Sequence, residues 1–334
     1  MISHRLGSGA RSPKVGFVLG PESAPLDRDL AAAIEALGCD SLWAAGRLTS
    51  GDDSTEVVTS LARIVALTER VQVGSAVLVL PLHSPVVIAK QFAELDRAAG
   101  GRLAMGVGAG GNLTEAAACG MVAADRGPRM DEAIDIIRAL WRGERVDRVT
   151  PWWTLRGASI APPPAQRGGP PIHVAGGKRV SMRRAARLGD GWLPTLFSPS
   201  AYARSVAEIT GHAAGIGREL AGFEWLCLLY VRVDDDAAQA RSRAASSVAA
   251  EMGIGSTGLD GLLARTAAVG TPHDVAAALR RYVDAGVTHL IIRCCGVDQL
   301  GQFERVMHEV LPLMATAPLP NLGNGLDHRQ ESRA

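Results

Sequence analysis

Eight short runs of β-branched and aliphatic residues recur along the chain, most of them separated by segments whose apolar residues fall at helical spacing. They are KVGFVLG (14–20), SLWAAG (41–46), VQVGSAVLVL (71–80), RLAMGVGAGG (102–111), PIHVAGG (171–177), DGWLP (190–194), WLCLLYVRV (225–233) and THLIIRCC (288–295). Helical patterns stand between them at Leu26–Leu37, Thr55–Thr68, Val86–Ala98, Asp131–Trp141 and from about Val180 to Leu188. Thr271-Pro272-His273-Asp274 opens another, with Thr as cap, Pro at the first helical position and Asp at the third. Parallel strands joined by right-handed helical crossovers close into a barrel when there are eight of them, with the chemistry at the strands' carboxyl ends. A doubly wound sheet explains the same alternation with fewer strands. The strand count favours a (β/α)8 TIM barrel, one α/β domain over 14–315, with an excursion between strands four and five.

That excursion is expected at 143–171, where two Trp, three consecutive Pro at Pro162–Pro164 and a Gly-Gly-Pro-Pro junction interrupt the periodicity. Its Trp152–Pro164 portion is a possible lid over substrate. The polar ends, 1–13 and 321–334, are expected to be flexible tails.

Charge excludes several partner classes. Thirty-five basic against 34 acidic residues leave a net charge of +1, too little to hold nucleic acid or an acidic membrane surface. No run reaches 18 uninterrupted apolar residues and the N-terminus leads into no signal-peptide core, so a cytoplasmic protein is expected. Five cysteines (Cys39, Cys119, Cys227, Cys294, Cys295) form no CxxC pair, and no HExxH occurs, so no metal is expected.

Several residues carry chemistry of their own. Gly176 and Gly177 follow a strand and precede a helix, the arrangement in which uncovered amides and a helix dipole receive an anion. Lys178 and Arg179 put positive charge at that helix start, unfavourable unless an anion compensates; the plain alternative is a glycine turn with solvated cations. The run Gly106–Asn112 ends strand four, where glycines such as Gly108 open the rim and Asn112 can donate and accept, or it is only a tight turn. His83, in PLHSP, is the preferred acid/base candidate against a satisfied loop histidine. His173 is expected in the core or behind the site, His289 at the end of the barrel that serves stability, and Trp43 in the core or lining the cavity. Arg126, Arg129, Asp131 and Glu132 read as a capping and ion-pair network, with contacts to a cofactor tail as the alternative.

The strings LGCDSLWAAGRL (37–48), TERVQVGSAVLVLPLHSPVVIAKQFAELDRAAGGRLAMGVGAGGN (68–112), RGPRMDEAIDIIRALW (126–141), PPIHVAGG (170–177), AARLGDGWLP (185–194) and GTPHDVAAALRRYVDAGVTHLIIR (270–293) together resemble the luciferase-like monooxygenase family, in particular its oxidoreductases that use the deazaflavin F420 or reduced FMN. The resemblance implies an eight-stranded barrel with the cofactor in its mouth and a bulge after strand three, often with a non-proline cis peptide, behind the ring; here it falls at Ser75, Ala76 and Val77. It implies that the Gly176-Gly177 loop receives the cofactor phosphate. It also implies F420-dependent hydride transfer to or from a small organic substrate, with an FMN-dependent two-component monooxygenase or a non-catalytic flavin-binding barrel as alternatives. A separate flavin or F420 reductase and a homodimer are further implications. The chain departs from the family at Gly46 and Arg47, where relatives commonly carry an acidic residue, alone or followed by His, and at Gly111, where a bulkier residue is common. The first departure weighs against a sugar-phosphate dehydrogenase mechanism with a strand-two histidine.

Overall fold

The computed structural model describes residues 12–20, 26–49, 54–252 and 258–316. Apart from Ser12 and Pro13, the expected tails lie outside these residues. Eight parallel strands form the barrel: β1 (Lys14–Leu19), β2 (Ser41–Ala44), β3 (Gln72–Ser75), β4 (Leu103–Gly108), β5 (Ile172–Ala175), β6 (Gly191–Leu193), β7 (Glu224–Val233) and β8 (His289–Cys294). Closure comes from β8, which pairs with β7 over Leu226–Val231 and with β1 over Lys14–Phe17. Helices pack outside, and the stack of Phe17 on Phe303, with centroids 4.4 Å apart, ties β1 to one of them.

The interior explains several glycines. Trp43 is fully buried and spans the barrel's middle; a Cβ on Gly74 would lie 2.3 Å from its ring, and one on Gly16 would lie 2.8 Å from its Nε1. Two neighbouring strands thus give up side chains so that one indole can fill the space, which makes Trp43 core. Beneath it, at the amino ends of the strands, is a polar layer. Trp43 Nε1 donates to Ser41 Oγ at 2.7 Å, and Ser41 Oγ stands 2.7 Å from His289 Nε2. Lys14 reaches Glu224 at 2.6 Å, and His173 Nε2 lies 3.0 Å from the other oxygen of that carboxylate. His173 and His289 therefore sit at the closed end, as expected of residues serving stability.

Local structure departs from the sequence pattern in three places. The run 71–80 reads as one strand, yet it breaks into β3, a two-residue strand Leu78–Val79 paired with β4, and a short turn Leu80–Leu82. The helix expected from Asp131 begins at Arg126, with Pro128 inside its first turn, where a missing N–H leaves no bond unmade. Within 143–171 an antiparallel hairpin pairs Val146–Val149 with Thr154–Ala158. Its Trp pair is tethered: Trp152 Nε1 donates to Asp125 at 3.2 Å, and the Arg129 guanidinium lies 5.0 Å from the Trp153 ring. Asp131 pairs with Arg184 and Arg187, and Glu132 with Arg148, so these acids form an ion-pair network; with the helix starting at Arg126 they stand in its second turn and do not cap it. Ala268–Gly270 adds a strand on the end of β7, and the Thr271/Asp274 capping box forms as read. No helix among the described residues is long and apolar enough to cross a membrane.

Candidate active site

The strand ends meet at the carboxyl mouth of the barrel, and the break after β3 shapes one wall of it. The peptide between Ala76 and Val77 is cis. Ser75 is buried and donates its hydroxyl to the Gly106 carbonyl at 2.8 Å, while the Ala76 amide donates to Ala44 at 2.7 Å. A Cβ on Gly106 would stand 2.0 Å from the Ser75 carbonyl oxygen, so β4 can come this close only as glycine. Val77 then projects beside Gly108, whose missing Cβ would lie 3.0 Å from Val77 Cγ2. Ser75, Ala76, Val77 and Gly108 are thus brought together as an apolar ledge. Asn112 is placed differently: its carbonyl oxygen caps the helix Leu113–Ala118 through the amides of Thr114 and Glu115, so what it has for a ligand is its amide nitrogen.

Beyond β5, Gly176 has φ +109, a left-handed value that favours glycine. A Cβ there would meet Ser181 Oγ at 2.7 Å, and one on Gly177 would enter the Phe197 ring at 2.0 Å. Lys178 is the N-cap of the helix Arg179–Leu188, and no side chain caps it. The Ser181 amide bonds the Lys178 carbonyl at 2.8 Å, so the turn offers an anion the amides that precede it together with the partial positive charge of the helix start. Arg179 turns away to Glu208 at 2.8 Å, which leaves Lys178 as the cation of the turn. Trp192 fixes the cradle by donating from Nε1 to the Gly176 carbonyl at 2.9 Å, and Phe197 packs edge-on against it. Sequence reasoning missed Ser181, Trp192 and Phe197; the serine three residues into a helix that lacks a capping side chain was the available signal.

His83 is half-buried after the Leu80–Leu82 turn. Burial pushes its pKa down, against the pull of Glu56 and Glu115, so the imidazole is neutral near pH 7. Both carboxylates have structural work: Glu56 caps the helix Val57–Leu67, and Glu115 accepts the amides of Leu48 and Thr49 at 2.7 and 3.2 Å. Across this corner the described residues that follow strand two, 45–49, include no carboxylate or histidine. Gly46 is packed so that a Cβ would lie 1.8 Å from the Thr55 carbonyl oxygen, and Arg47 donates to the Glu251 carbonyl at 3.4 Å.

A further polar group at the mouth went unforeseen. Arg293, at the end of β8, donates to Gln299 Oε1 at 2.8 Å and Glu251 Oε2 at 3.2 Å; Tyr230 donates its hydroxyl to the other oxygen of Glu251 at 3.3 Å. Its two-residue offset from Ile291 was a legible cue to an inward position. A cleft of about 590 Å³ lined by Arg241, Asp260, Asp274 and Arg281 lies in the outer helix layer, away from the strand ends, and is set apart from the site on that ground.

Comparison with known proteins identifies the family. Residues 18–289 match the family described as luciferase-like monooxygenase. An F420-dependent glucose-6-phosphate dehydrogenase of Kineococcus radiotolerans is 31% identical over 320 residues, covering 86% of this chain and 92% of its own. The monooxygenase RslO1 from Streptomyces bottropensis superposes with a TM-score of 0.78 at 23% identity, over 90% of this chain and 99% of its own. An F420-dependent secondary alcohol dehydrogenase, solved with an F420-acetone adduct, superposes at 0.77 with 18% identity, over 91% and 99%. At those identities the superpositions speak for the fold, and the match across most of the sequence speaks for descent. The chain is a member of the luciferase-like monooxygenase family.

Proposed function

We propose that this protein is an F420-dependent oxidoreductase that moves hydride between the deazaflavin and a small organic substrate. The observation that carries the reading is the uncapped turn Gly176–Lys178, on the same end of the barrel as the ledge at Ala76–Val77. The turn is held to glycine by the approach of Ser181 and Phe197 and leads into an uncapped helix start, and the ledge is an apolar face for a planar ring; both suit a phosphorylated deazaflavin. Curated relatives that use F420 at about 30% identity support the same choice. When bound, F420 supplies the hydride exchange, and the protein supplies placement and exclusion of water.

In this reading Lys178 and the first-turn amides hold the phosphate, with Ser181 beside them. Ser75, Ala76, Val77 and Gly108 form the surface behind the ring, and the Asn112 amide nitrogen is a donor at its edge. His83, neutral near pH 7, accepts or returns the proton that accompanies hydride transfer at the substrate. Gly46 leaves no room for a histidine on strand two, so a proton relay from that strand is not part of the mechanism. A separate reductase or dehydrogenase recycles the cofactor. RslO1's description as a monooxygenase favours a second reading, oxygenation with reduced FMN.

Titration of the purified protein with F420 and FMN separates the two. The expected outcome is saturable F420 binding at least tenfold tighter than FMN, and a substrate-dependent change in F420 absorbance. FMN preference together with FMNH2-dependent oxygen uptake would replace the first reading with the second.

A further inference from the structure

The inference names the kind of substrate the site takes; it rests on the proposed function for the reaction, but the seat it describes is tested without cofactor. Inward positions recur every second residue along a strand. Val18, Trp43, Ala76, Ala104, Leu193, Leu226 and Ile291 form one buried cluster inside the barrel, and three half-buried apolar residues pack on it: Ala45, Val77 and Leu228. Ala45 stands two residues beyond Trp43, and Leu228 two beyond Leu226, each one inward step nearer the mouth. Val77 belongs to the ledge assigned to the ring. The same apolar floor therefore runs from that ledge past Ala45 to Leu228 on β7, the strand opposite β3 in a closed barrel of eight. Leu228 also packs on a second apolar cluster, whose other half-buried members include Leu196, after β6, and Met252, at the end of the helix Ala237–Met252. A bridge between Thr195 and Leu228 brings Leu196 to this side, so the floor continues into a wall.

The polar groups beside that wall are bonded to one another. Arg293 donates to Gln299 and Glu251, and Tyr230 donates to Glu251. Aliphatic surface left half-buried in a concave mouth gains from being covered by hydrocarbon, whereas hydroxyl groups pressed against it give up water without a replacement partner. We propose that the substrate presents a hydrocarbon body to Ala45, Leu228 and Leu196, with its reacting carbon turned toward the ring on the ledge. The class is a small lipophilic molecule; a polyhydroxylated, phosphorylated body such as glucose 6-phosphate is the contrasting class.

Isothermal titration of the full chain with hexan-2-one, heptan-2-one, octan-2-one and nonan-2-one keeps the carbonyl constant and varies only the body. Without F420, each added methylene is expected to tighten binding about fourfold, and nonan-2-one to bind at least about tenfold tighter than glucose 6-phosphate. Leu228→Asn should remove most of the dependence on chain length, and Leu228→Met should keep it. Ala45→Leu fills the seat without adding a polar group, and should weaken nonan-2-one more than hexan-2-one; it decides the matter should Leu228→Asn not fold. Ile216→Asn, at a residue 59% exposed just past the helix Pro199–Gly215, controls for adsorption elsewhere and should change nothing. Affinity independent of chain length, glucose 6-phosphate bound more tightly than nonan-2-one, or equal losses in Ile216→Asn and Leu228→Asn overturns the proposal. The expected series in a protein that does not take up F420 upholds the apolar seat and sinks the cofactor reading alone; uptake of F420 with no dependence on chain length does the reverse.

Discussion

His83 is the residue on which proton transfer depends in the proposed mechanism. Its ring is held neutral by burial more strongly than Glu56 and Glu115 hold it charged. Protonation therefore requires a pH below the ordinary histidine value of 6.5, and activity that needs the free base should fall on an acid limb below that pH. His83→Gln is expected to lower kcat by about 10²- to 10⁴-fold, the usual worth of a positioned acid/base group, while leaving F420 affinity within about twofold. Steady-state kinetics beside a cofactor titration decide it; a parallel loss of binding would make His83 a structural residue. Gly46→His is the informative gain-of-group variant. Its Cβ would enter the Thr55 carbonyl, 1.8 Å away, and overpacking of this kind costs about 1–3 kcal/mol. Thermal unfolding should show the loss, and no new acid/base activity should accompany it.

At the scale of elements, the helix Arg179–Leu188 is the one that the proposed function assigns to cofactor binding. Its sequence is strongly basic at the start, RVSMRR after Lys178, which opposes its own dipole. Lys178, as the residue just before the helix, is the cation placed to meet a ligand at the turn, because Arg179 pairs with Glu208, Arg184 pairs with Asp131 and Arg183 lies a full turn further along the helix. Lys178→Ala is therefore expected to weaken F420 roughly 2- to 5-fold, the worth of an exposed charge contact, and Arg179→Ala to have a smaller effect. Fluorescence titration of the two variants makes the comparison, and equal losses would return Arg179 to the site. The other element of the proposed site, the break after β3, was invisible to periodicity. VQVGSAVLVL has the β-branched continuity of a buried strand; where it breaks, Gly106 approaches and the Ala76 amide donates to the Ala44 carbonyl, both partners distant in sequence. Only the resemblance to a family pointed to a bulge at these residues.

For the whole molecule, the barrel divides into a polar closed end, an indole-filled middle and an open functional mouth. Trp43→Ala, at the middle, is expected to cost about 3–5 kcal/mol, because the flanking Gly16 and Gly74 have nothing with which to refill the space; chemical denaturation reads this directly. The closed end sets the response to acid. Burial lowers the His289 pKa to about 3, although Glu224 pulls it upward, with Lys14 and His173 acting in the same direction as burial. The unfolded chain takes up this proton as pH falls below 6.5, while the folded chain takes it up only near 3, so stability is full above 6.5 and declines through that window. The slope is about 1.4 kcal/mol per pH unit at most. Glu224, held below the usual carboxylate range by His173 and Lys14 despite its burial, adds a loss in the same direction below pH 4.5. Thermal midpoints at pH 7 and pH 5 should differ, and His289→Gln should reduce the difference; an unchanged slope would place the sensitivity elsewhere.

The order of strands and helices was legible in the sequence by itself, because apolar periods of two and of 3.6 residues are local properties that burial on one face imposes on each segment. The glycine turn at Gly176–Gly177 was legible for the same reason: it needs only a strand before it and a helix after it. Which charges remain unpaired was decided by the tertiary structure alone. Arg179 and Arg293 carry the same guanidinium, yet closure of the barrel takes one to Glu208 on the outer face and brings the other into the mouth beside Glu251. Such partners lie 29 and 42 residues apart in the chain, and no local pattern encodes a distance that only folding creates.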